Sequence, residues 1–211
     1  VLPKKNERII TVDLSETQRA VYQSIMNEAF AYMPAEQKAE LMRLLAVSAR
    51  LGTPDELPED SKYDEDMIVS DIESIVNMYL ARIEQFCTVP AADLAGQTLS
   101  GADRVSPKVR KVGEICLEHV SQNLPGKIIV FTNYVASAEA VVAHLEPLPQ
   151  LAGRVVHYTA STKDEAKAEF KENTNKVVMV GVGKSMDTGL NLQHGSRLIR
   201  VEGVWSPGTI E

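Results

Sequence analysis

The chain has 211 residues, of which 44% are hydrophobic and 24% charged, a balance typical of a protein that folds around a buried core. No segment approaches the roughly 18 uninterrupted apolar residues of a membrane helix, and no apolar run follows the first five residues, so the sequence predicts neither a membrane span nor a signal peptide. Because the chain does not begin with Met, we expect it to derive from a longer protein.

The net charge of −7 is unevenly distributed along the chain. Residues 1–100 hold 9 Lys and Arg against 17 Asp and Glu, for a net charge of −8, whereas residues 101–211 hold 13 against 12, for a net charge of +1. The second half can therefore carry a local basic patch, and the charge neither requires nor excludes a nucleic-acid partner.

Cysteine usage is sparse. Cys87 and Cys116 show no CxxC spacing, and the four histidines are scattered. These features predict two buried free thiols, no metal site and a reducing intracellular compartment.

Residues 1–34 are predicted to form a strand followed by a helix. Residues 7–13 contain the β-branched run of Ile9, Ile10 and Val12. Ser15 and Gln18 have the spacing of a capping box, apolar residues then recur at helical spacing as far as Met33, and Pro34 should end the helix.

Residues 35–100 are predicted to be a helical insertion. One helix is expected over 35–51 and another, with an apolar stripe from Ile68 to Phe86, after an acidic stretch over 53–66. We interpret the acidic stretch as an exposed loop.

Residues 101–211 alternate between helix and strand patterns. Ser106 and Pro107 provide an N-cap and a first helical residue. Strands are predicted over 127–131, 154–158, 176–180 and 197–201, with helices over 135–145 and 163–172 between them. This alternation predicts an α/β fold in which a parallel sheet is flanked by helices. Ligands of such sheets bind at the carboxyl ends of the strands, here after Phe131, Tyr158, Val180 and Val201.

Gly183, Lys184 and Ser185 imitate a phosphate-binding P-loop. The complete pattern requires a glycine where Val178 stands, in the middle of a predicted strand. Without a loop there are no free backbone N–H groups to hold phosphates, so we expect no P-loop here.

An ordered series of segments resembles the Swi/Snf-type, superfamily-two helicase-like ATPases. The segment from Leu80 to Pro90 resembles the family's Leu-Arg-x-x-Cys-x-His-Pro helix end, with Val89 in place of His, and Ser106 to Val109 resembles its Ser-Pro-Lys-Leu. Lys127 to Tyr134 is similar to motif IV and Gly189 to Gln193 to motif V, although Val182 and Gly183 stand where the family has Ser-Thr. Trp205-Ser206-Pro207 is similar to the family's Trp-Asn-Pro.

The resemblance implies a RecA-like helicase C-terminal lobe with an N-terminal helical insertion, truncated before the arginine-finger motif. Such a lobe belongs to an ATP-dependent DNA translocase or remodeler. ATP and Mg would bind between it and the N-terminal RecA-like lobe of the same parent chain, so the chain alone is not expected to hydrolyse ATP. By resemblance, Gly189 and Asn191 face the nucleotide. Double-stranded DNA would be gripped through its phosphates by Thr132, Asn133, Ser161, Lys163 and Lys184.

Two alternatives remain open. A conventional superfamily-two helicase lobe would have the same fold but separate strands, although Asn191 and the Trp205-x-Pro207 pattern favour the remodeler-like branch. A non-enzymatic adapter would instead use the acidic helices of residues 35–86 to bind a protein. Each candidate site residue also has a purely structural alternative. Thr132, Asn133 and Asn191 have side chains suited to capping a helix. Gly189 suits a tight turn, and Lys163 and Lys184 can be solvated surface lysines.

Overall fold

The computed structural model of the chain describes residues 6–32, 86–89, 104–186 and 195–202. The chain divides into two compact units, one formed by Val1–Gln18 with Cys87–Glu211 and the other by Arg19–Phe86. The predicted helix over 35–51, the acidic loop over 53–66 and most of the following helix lie outside the described residues. Within the described ranges, no helix is long and apolar enough to span a bilayer.

The strand predicted over residues 7–13 is wrong. Residues 6–15 have no regular secondary structure, and Ile9 is 89% exposed. A strand is stabilised by a hydrogen-bonded neighbour and a buried face, but this segment belongs to none of the four strands of the described sheet. Its β-branched composition therefore did not decide its conformation.

Helix α1 (Glu16–Tyr32) begins at the predicted capping box. The backbone N–H of Gln18 donates to Ser15 Oγ at 3.2 Å, and the backbone N–H of Ser15 donates to Gln18 Oε1 at 3.4 Å. The two bonds satisfy N–H groups that a helix N-terminus leaves without a partner. Val21 and Ile25, one helical turn apart, are both buried, as the helical spacing predicted.

Four parallel strands form one sheet, which confirms the predicted fold class. They are β1 (Lys127–Thr132), β2 (Val155–Tyr158), β3 (Val178–Val182) and β4 (Gly195–Arg200). Their spatial order is β2-β3-β1-β4, and all three pairings are parallel. Strand β3 begins and ends two residues later than the sequence predicted, and β4 begins two residues earlier. Val178, the residue that breaks the P-loop pattern, is the first residue of β3.

Three helices of this unit lie where the sequence predicts them: α2 (Pro107–Ser121), α3 (Val135–Leu145) and α4 (Lys163–Glu172). A short helix, α5 (Gly183–Met186), follows β3. Ser106 is the N-cap of α2, and its Oγ accepts the backbone N–H of Val109 at 3.2 Å. Pro107 follows at the first helical position, where its missing N–H costs nothing.

Helices pack on both faces of the inner strands of the sheet, and β1 contributes side chains to both of these layers. Ile128 and Val130 pack with α2 and α3 on one face, whereas Ile129 packs with α4 and α5 on the other. This alternation follows from the two-residue period of a strand. Because both faces of β1 are buried, the strand is a continuous apolar run, as parallel strands usually are.

The two cysteines differ in their surroundings. Cys116 is a residue of α2 and is fully buried in the core, as predicted, but Cys87 is only half-buried, so the prediction for that residue is wrong. Burial raises the pKa of the Cys116 thiol to about 12 although the nearby charge of Arg197 lowers it. Cys116 is therefore a neutral core residue without nucleophilic character at physiological pH.

Candidate nucleic-acid interface

The carboxyl ends of the four strands meet at one edge of the sheet. The segments that follow the strands there are 159–162 after β2, helix α5 after β3, 133–134 after β1 and 201–202 after β4. We call these four segments the carboxyl edge. Because β2 and β1 are two places apart in the sheet, their tips are separated by about 10 Å. The sheet thus brings candidate residues from distant parts of the sequence to a single surface.

The turn between β2 and α4 carries three hydroxyl side chains, and that of Thr159 contacts the other two. Thr159 Oγ1 lies 3.0 Å from Ser161 Oγ and 2.8 Å from Thr162 Oγ1. Thr162 Oγ1 also accepts the backbone N–H of Thr159 at 3.2 Å. Ser161 is exposed, so its hydroxyl reaches the surface from this network.

Thr162 occupies the N-cap position of α4 without capping it. Its hydroxyl is directed back towards Thr159 and the His157 carbonyl oxygen, 3.3 Å away, and makes no capping bond to the helix. The first N–H groups of α4 therefore lack the side-chain acceptor that an N-cap normally supplies. Lys163, the first residue of the helix, is exposed. Exposed Asp164 and Glu165 place negative charge in the same turn.

In the turn between β1 and α3, one candidate residue is buried and the other is exposed. Thr132 is 1% exposed, and its Oγ1 lies within donating distance of the carbonyl oxygens of Tyr134, at 3.1 Å, and Gly181, at 3.4 Å. Asn133 is exposed at the carboxyl edge. The sequence alone cannot separate these two adjacent polar residues, because only the tertiary structure shows which side chain is covered.

Strand β3 passes directly into α5 without an intervening loop. Gly183 is the first residue of α5, and Lys184 follows it, so the backbone of Lys184 lies on the carboxyl edge. The imitation of a P-loop at Gly183 to Ser185 therefore has no loop around it, in agreement with the prediction. Gly189 and Asn191, the predicted nucleotide-facing residues, lie outside the described residues.

Glu202 is a residue of the carboxyl edge that the sequence patterns did not predict. This residue follows β4 at the carboxyl edge, is 1% exposed, and accepts the backbone N–H of Asn133 at Oε2 over 2.9 Å. The sequence does contain a signal for this residue, because a charged side chain stands directly after a predicted strand, at the edge where ligands bind. Among the described residues, no group of three or more Asp, Glu, His or Cys side chains could hold a metal ion at this edge.

Solved structures of two ATPase C-terminal domains and a helicase domain share this fold. The Sulfolobus solfataricus SWI2/SNF2 ATPase C-terminal domain matches with a TM-score of 0.61 at 19% identity, over 93% of this chain and 71% of that one. The C-terminal part of the Fun30 ATPase domain matches with a TM-score of 0.58 at 12% identity, over 99% of this chain and 78% of that one. The Pyrococcus furiosus Hef helicase domain matches with a TM-score of 0.51 at 19% identity, over 95% of this chain and 50% of that one.

The parallel sheet, its flanking helices and these likenesses show that the described residues have the fold of a RecA-like helicase lobe. More closely, it is the fold of a Snf2-type helicase C-terminal lobe, as the sequence resemblance predicted. No protein-family model matches the chain, and no curated protein sequence matches it. At these identities the likeness concerns the fold, and the activity must be argued from the site.

Proposed function

We propose that the chain is the second lobe of an ATP-dependent DNA translocase or remodeler and that its carboxyl edge grips the DNA backbone. One observation carries the proposal: parallel pairing brings Asn133, Ser161, Lys163 and the start of α5 to the same edge of the sheet. Hydroxyl, amide and ammonium groups are suited to phosphate oxygens, because all of them donate hydrogen bonds. The DNA contact is therefore one to the backbone, without base readout.

The start of α4 strengthens the case for phosphate binding. Since Thr162 does not cap the helix, backbone N–H groups at its first turn are available to an anion, and the helix dipole adds a positive potential there. The ammonium of Lys163 and the hydroxyl of Ser161 flank this turn in sequence. Asp164 and Glu165 oppose the same potential, so the grip depends on direct hydrogen bonds more than on net charge.

The five predicted DNA-contacting residues have different parts in this proposal. Asn133, Ser161 and Lys163 are exposed and make direct phosphate contacts. Lys184, the second residue of α5, adds a further phosphate contact. Thr132 acts indirectly, because its buried hydroxyl is directed at Tyr134 and Gly181 and braces the turn that carries Asn133.

ATP and Mg belong to the proposal through the partner lobe. Gly189 and Asn191 would face a triphosphate that the N-terminal RecA-like lobe holds together with its metal ion, and closure of the two lobes would move the DNA. In the described residues, no cluster of metal-binding side chains offers an independent place for Mg. Because the triphosphate and its metal ion would be held by the partner lobe, the chain by itself is not expected to hydrolyse ATP.

A matched pair of lysines tests the DNA grip. Lys163 and Lys171 are both exposed and lie at opposite ends of α4. Lys163→Gln should weaken duplex DNA binding and reduce the slope of log K against log salt by about 1, because one phosphate contact is lost. Lys171→Gln changes the net charge equally but lies away from the carboxyl edge and should leave the slope unchanged. If both variants lost the same affinity for duplex DNA, the DNA would be attracted by the overall charge of the chain and not bound at a specific site.

The motor itself is tested in the protein that carries both lobes. We expect ATP hydrolysis that duplex DNA stimulates, and a large loss of that stimulation in Gly189→Ala or Asn191→Ala. Absence of DNA-stimulated hydrolysis in the unsubstituted two-lobe protein would eliminate the proposal.

The likeness to the Hef helicase domain favours one second candidate, a lobe of a strand-separating helicase. A strand-displacement assay on the same two-lobe protein distinguishes the two functions. Translocation along duplex DNA without release of a strand supports the first, and release of a labelled strand supports the second.

A further inference from the structure

Glu202 is a buried carboxylate at the carboxyl edge. It follows β4 by two residues, and the backbone N–H of the intervening Val201 donates to the Phe131 carbonyl oxygen at 3.0 Å. This bond continues the β1–β4 pairing beyond the end of β4, so Glu202 is carried to the end of β1. Its side chain is 1% exposed there.

The carboxylate makes a single described hydrogen bond, and that bond joins two segments 69 residues apart in sequence. Oε2 accepts the backbone N–H of Asn133 at 2.9 Å. Oε1 is buried and has no hydrogen-bond partner among the described residues. Burying a carboxylate is unfavourable unless its hydrogen bonds offset the loss of water. Stability alone is therefore a poor reason for a carboxylate at this position.

Hydrogen bonds hold the backbone at Asn133, although the residue is exposed to solvent. Its N–H is fixed by Glu202, and the hydroxyl of the preceding Thr132 reaches the carbonyl oxygen of the following Tyr134 at 3.1 Å. The turn is thus fixed on both sides of Asn133, although Asn133 itself is exposed. A contact residue whose backbone is ordered in advance loses less conformational entropy when a ligand binds.

From this geometry we propose that Glu202 is a positioning residue for DNA binding: by holding the Asn133 N–H, it fixes the backbone from which the Asn133 side chain reaches a bound backbone phosphate. The inference rests on the proposed function. Glu202 itself does not contact the phosphate, because its carboxylate is buried and carries the same sign of charge. Its negative charge weakens phosphate binding slightly, while its hydrogen bond strengthens it.

Three substitutions separate the hydrogen bond from the charge. Glu202→Ala removes both, Glu202→Gln removes the charge but keeps an oxygen that can accept the Asn133 N–H, and Glu202→Asp keeps the charge but is one methylene too short to make the same bond. We expect the affinity for duplex DNA to fall roughly three- to tenfold in the Ala and Asp variants. The Gln variant should bind as tightly as the unsubstituted chain or more tightly.

Two further measurements distinguish positioning from a general structural role. Hydrogen exchange of the Asn133 amide, followed by NMR without DNA, should accelerate roughly tenfold or more in Glu202→Ala and stay slow in Glu202→Gln. The double variant Glu202→Ala with Asn133→Ala should bind DNA no more weakly than Asn133→Ala alone, because the effect of Glu202 passes through Asn133. Thermal unfolding identifies any variant whose affinity must be set aside for loss of fold, and Glu202→Asp then replaces Glu202→Ala in every comparison.

Two results overturn the inference alone: equal affinities of the Ala and Gln variants in a chain that binds DNA, or fully additive losses in the double variant. Absence of DNA binding by the unsubstituted chain overturns the proposed function, and the inference with it. The exchange measurement without DNA still reports whether Glu202 holds the Asn133 amide, so the two failures remain distinguishable.

Discussion

A Cβ atom on Gly181 would lie 2.7 Å from the sulfur of Met186. Gly181 lies in β3, and Met186 is the last residue of α5, so the missing side chain leaves the space in which α5 packs back on the sheet. The same Cβ would also come within 3.0 Å of the Tyr158 carbonyl oxygen in β2, which belongs to the backbone and cannot rotate away.

Gly181→Ala should therefore destabilise the lobe by about 1–3 kcal/mol, the usual cost of overpacking a core. Gly183→Ala is the matched control, because its nearest neighbour to an added Cβ is the Thr132 carbonyl oxygen at 3.8 Å, an ordinary contact. We expect the control to change the free energy of unfolding by no more than about 0.5 kcal/mol. Urea unfolding of both variants checks this, and equal stabilities would contradict the packing of α5.

Gly113 and His144 join α2 to α3. A Cβ on Gly113 would lie 2.7 Å from His144 Nε2 and 3.0 Å from His144 Cδ2. Alanine inside a helix is more favourable than glycine by roughly 1 kcal/mol, so Gly113→Ala should gain that amount once the ring is removed by His144→Ala. With the ring in place the gain should be cancelled or reversed. A double-mutant cycle by chemical denaturation measures the difference, and additive effects would show that the ring moves aside freely.

His144 also predicts a dependence of stability on pH. Burial lowers the pKa of His144 below its ordinary value of 6.5, and the positive charge of Arg110 lowers it further. Because the folded pKa lies below the unfolded one, the unfolded chain takes up the proton first as the pH falls. The contribution of neutral His144 is complete above 6.5 and is lost as the pH falls from 6.5 through the folded pKa.

The comparison with His144→Gln isolates this contribution from other titrating groups. The unsubstituted chain should lose more stability than the variant between about pH 7.5 and pH 5.5. Parallel curves of unfolding free energy against pH would show that His144 titrates normally in the folded chain.

Lys127 supports the C-terminal end of α4. Its Nζ donates to the carbonyl oxygen of Phe170, donates to that of Asn173 at 2.8 Å, and lies 5.0 Å from the centre of the Phe170 ring. Cations stabilise the end of a helix at which carbonyl oxygens lack partners. Lys127→Met should therefore lower stability by about 0.3–2 kcal/mol. Lys171→Met, an exposed change in the last turn of the same helix, is the control and should cost less in thermal unfolding.

Much of the fold follows from short-range patterns in the sequence. The caps at Ser15 and Ser106, the buried run of β1 and the helices that start at Val135 and Lys163 all lie where local signals predict them. Local patterns gave the wrong prediction where the conformation depends on a partner strand. Residues 7–13 have the composition of a strand, but they pair with no strand of the described sheet. At the site, the sequence identified the polar residues after β1 and β2, yet it could not show that Thr132 is covered and Asn133 exposed.

The alternation of strands and helices, and the polar groups that follow the strands, can be predicted from the order of the residues, because hydrophobic period and capping act within a few residues. The strand order β2-β3-β1-β4 and the contact between Glu202 and Asn133 become known only from the folded chain. Both depend on which distant segments become neighbours in the sheet. The sequence does not distinguish a buried glutamate from an exposed one. The surrounding fold determines whether water or a backbone N–H donates hydrogen bonds to the carboxylate.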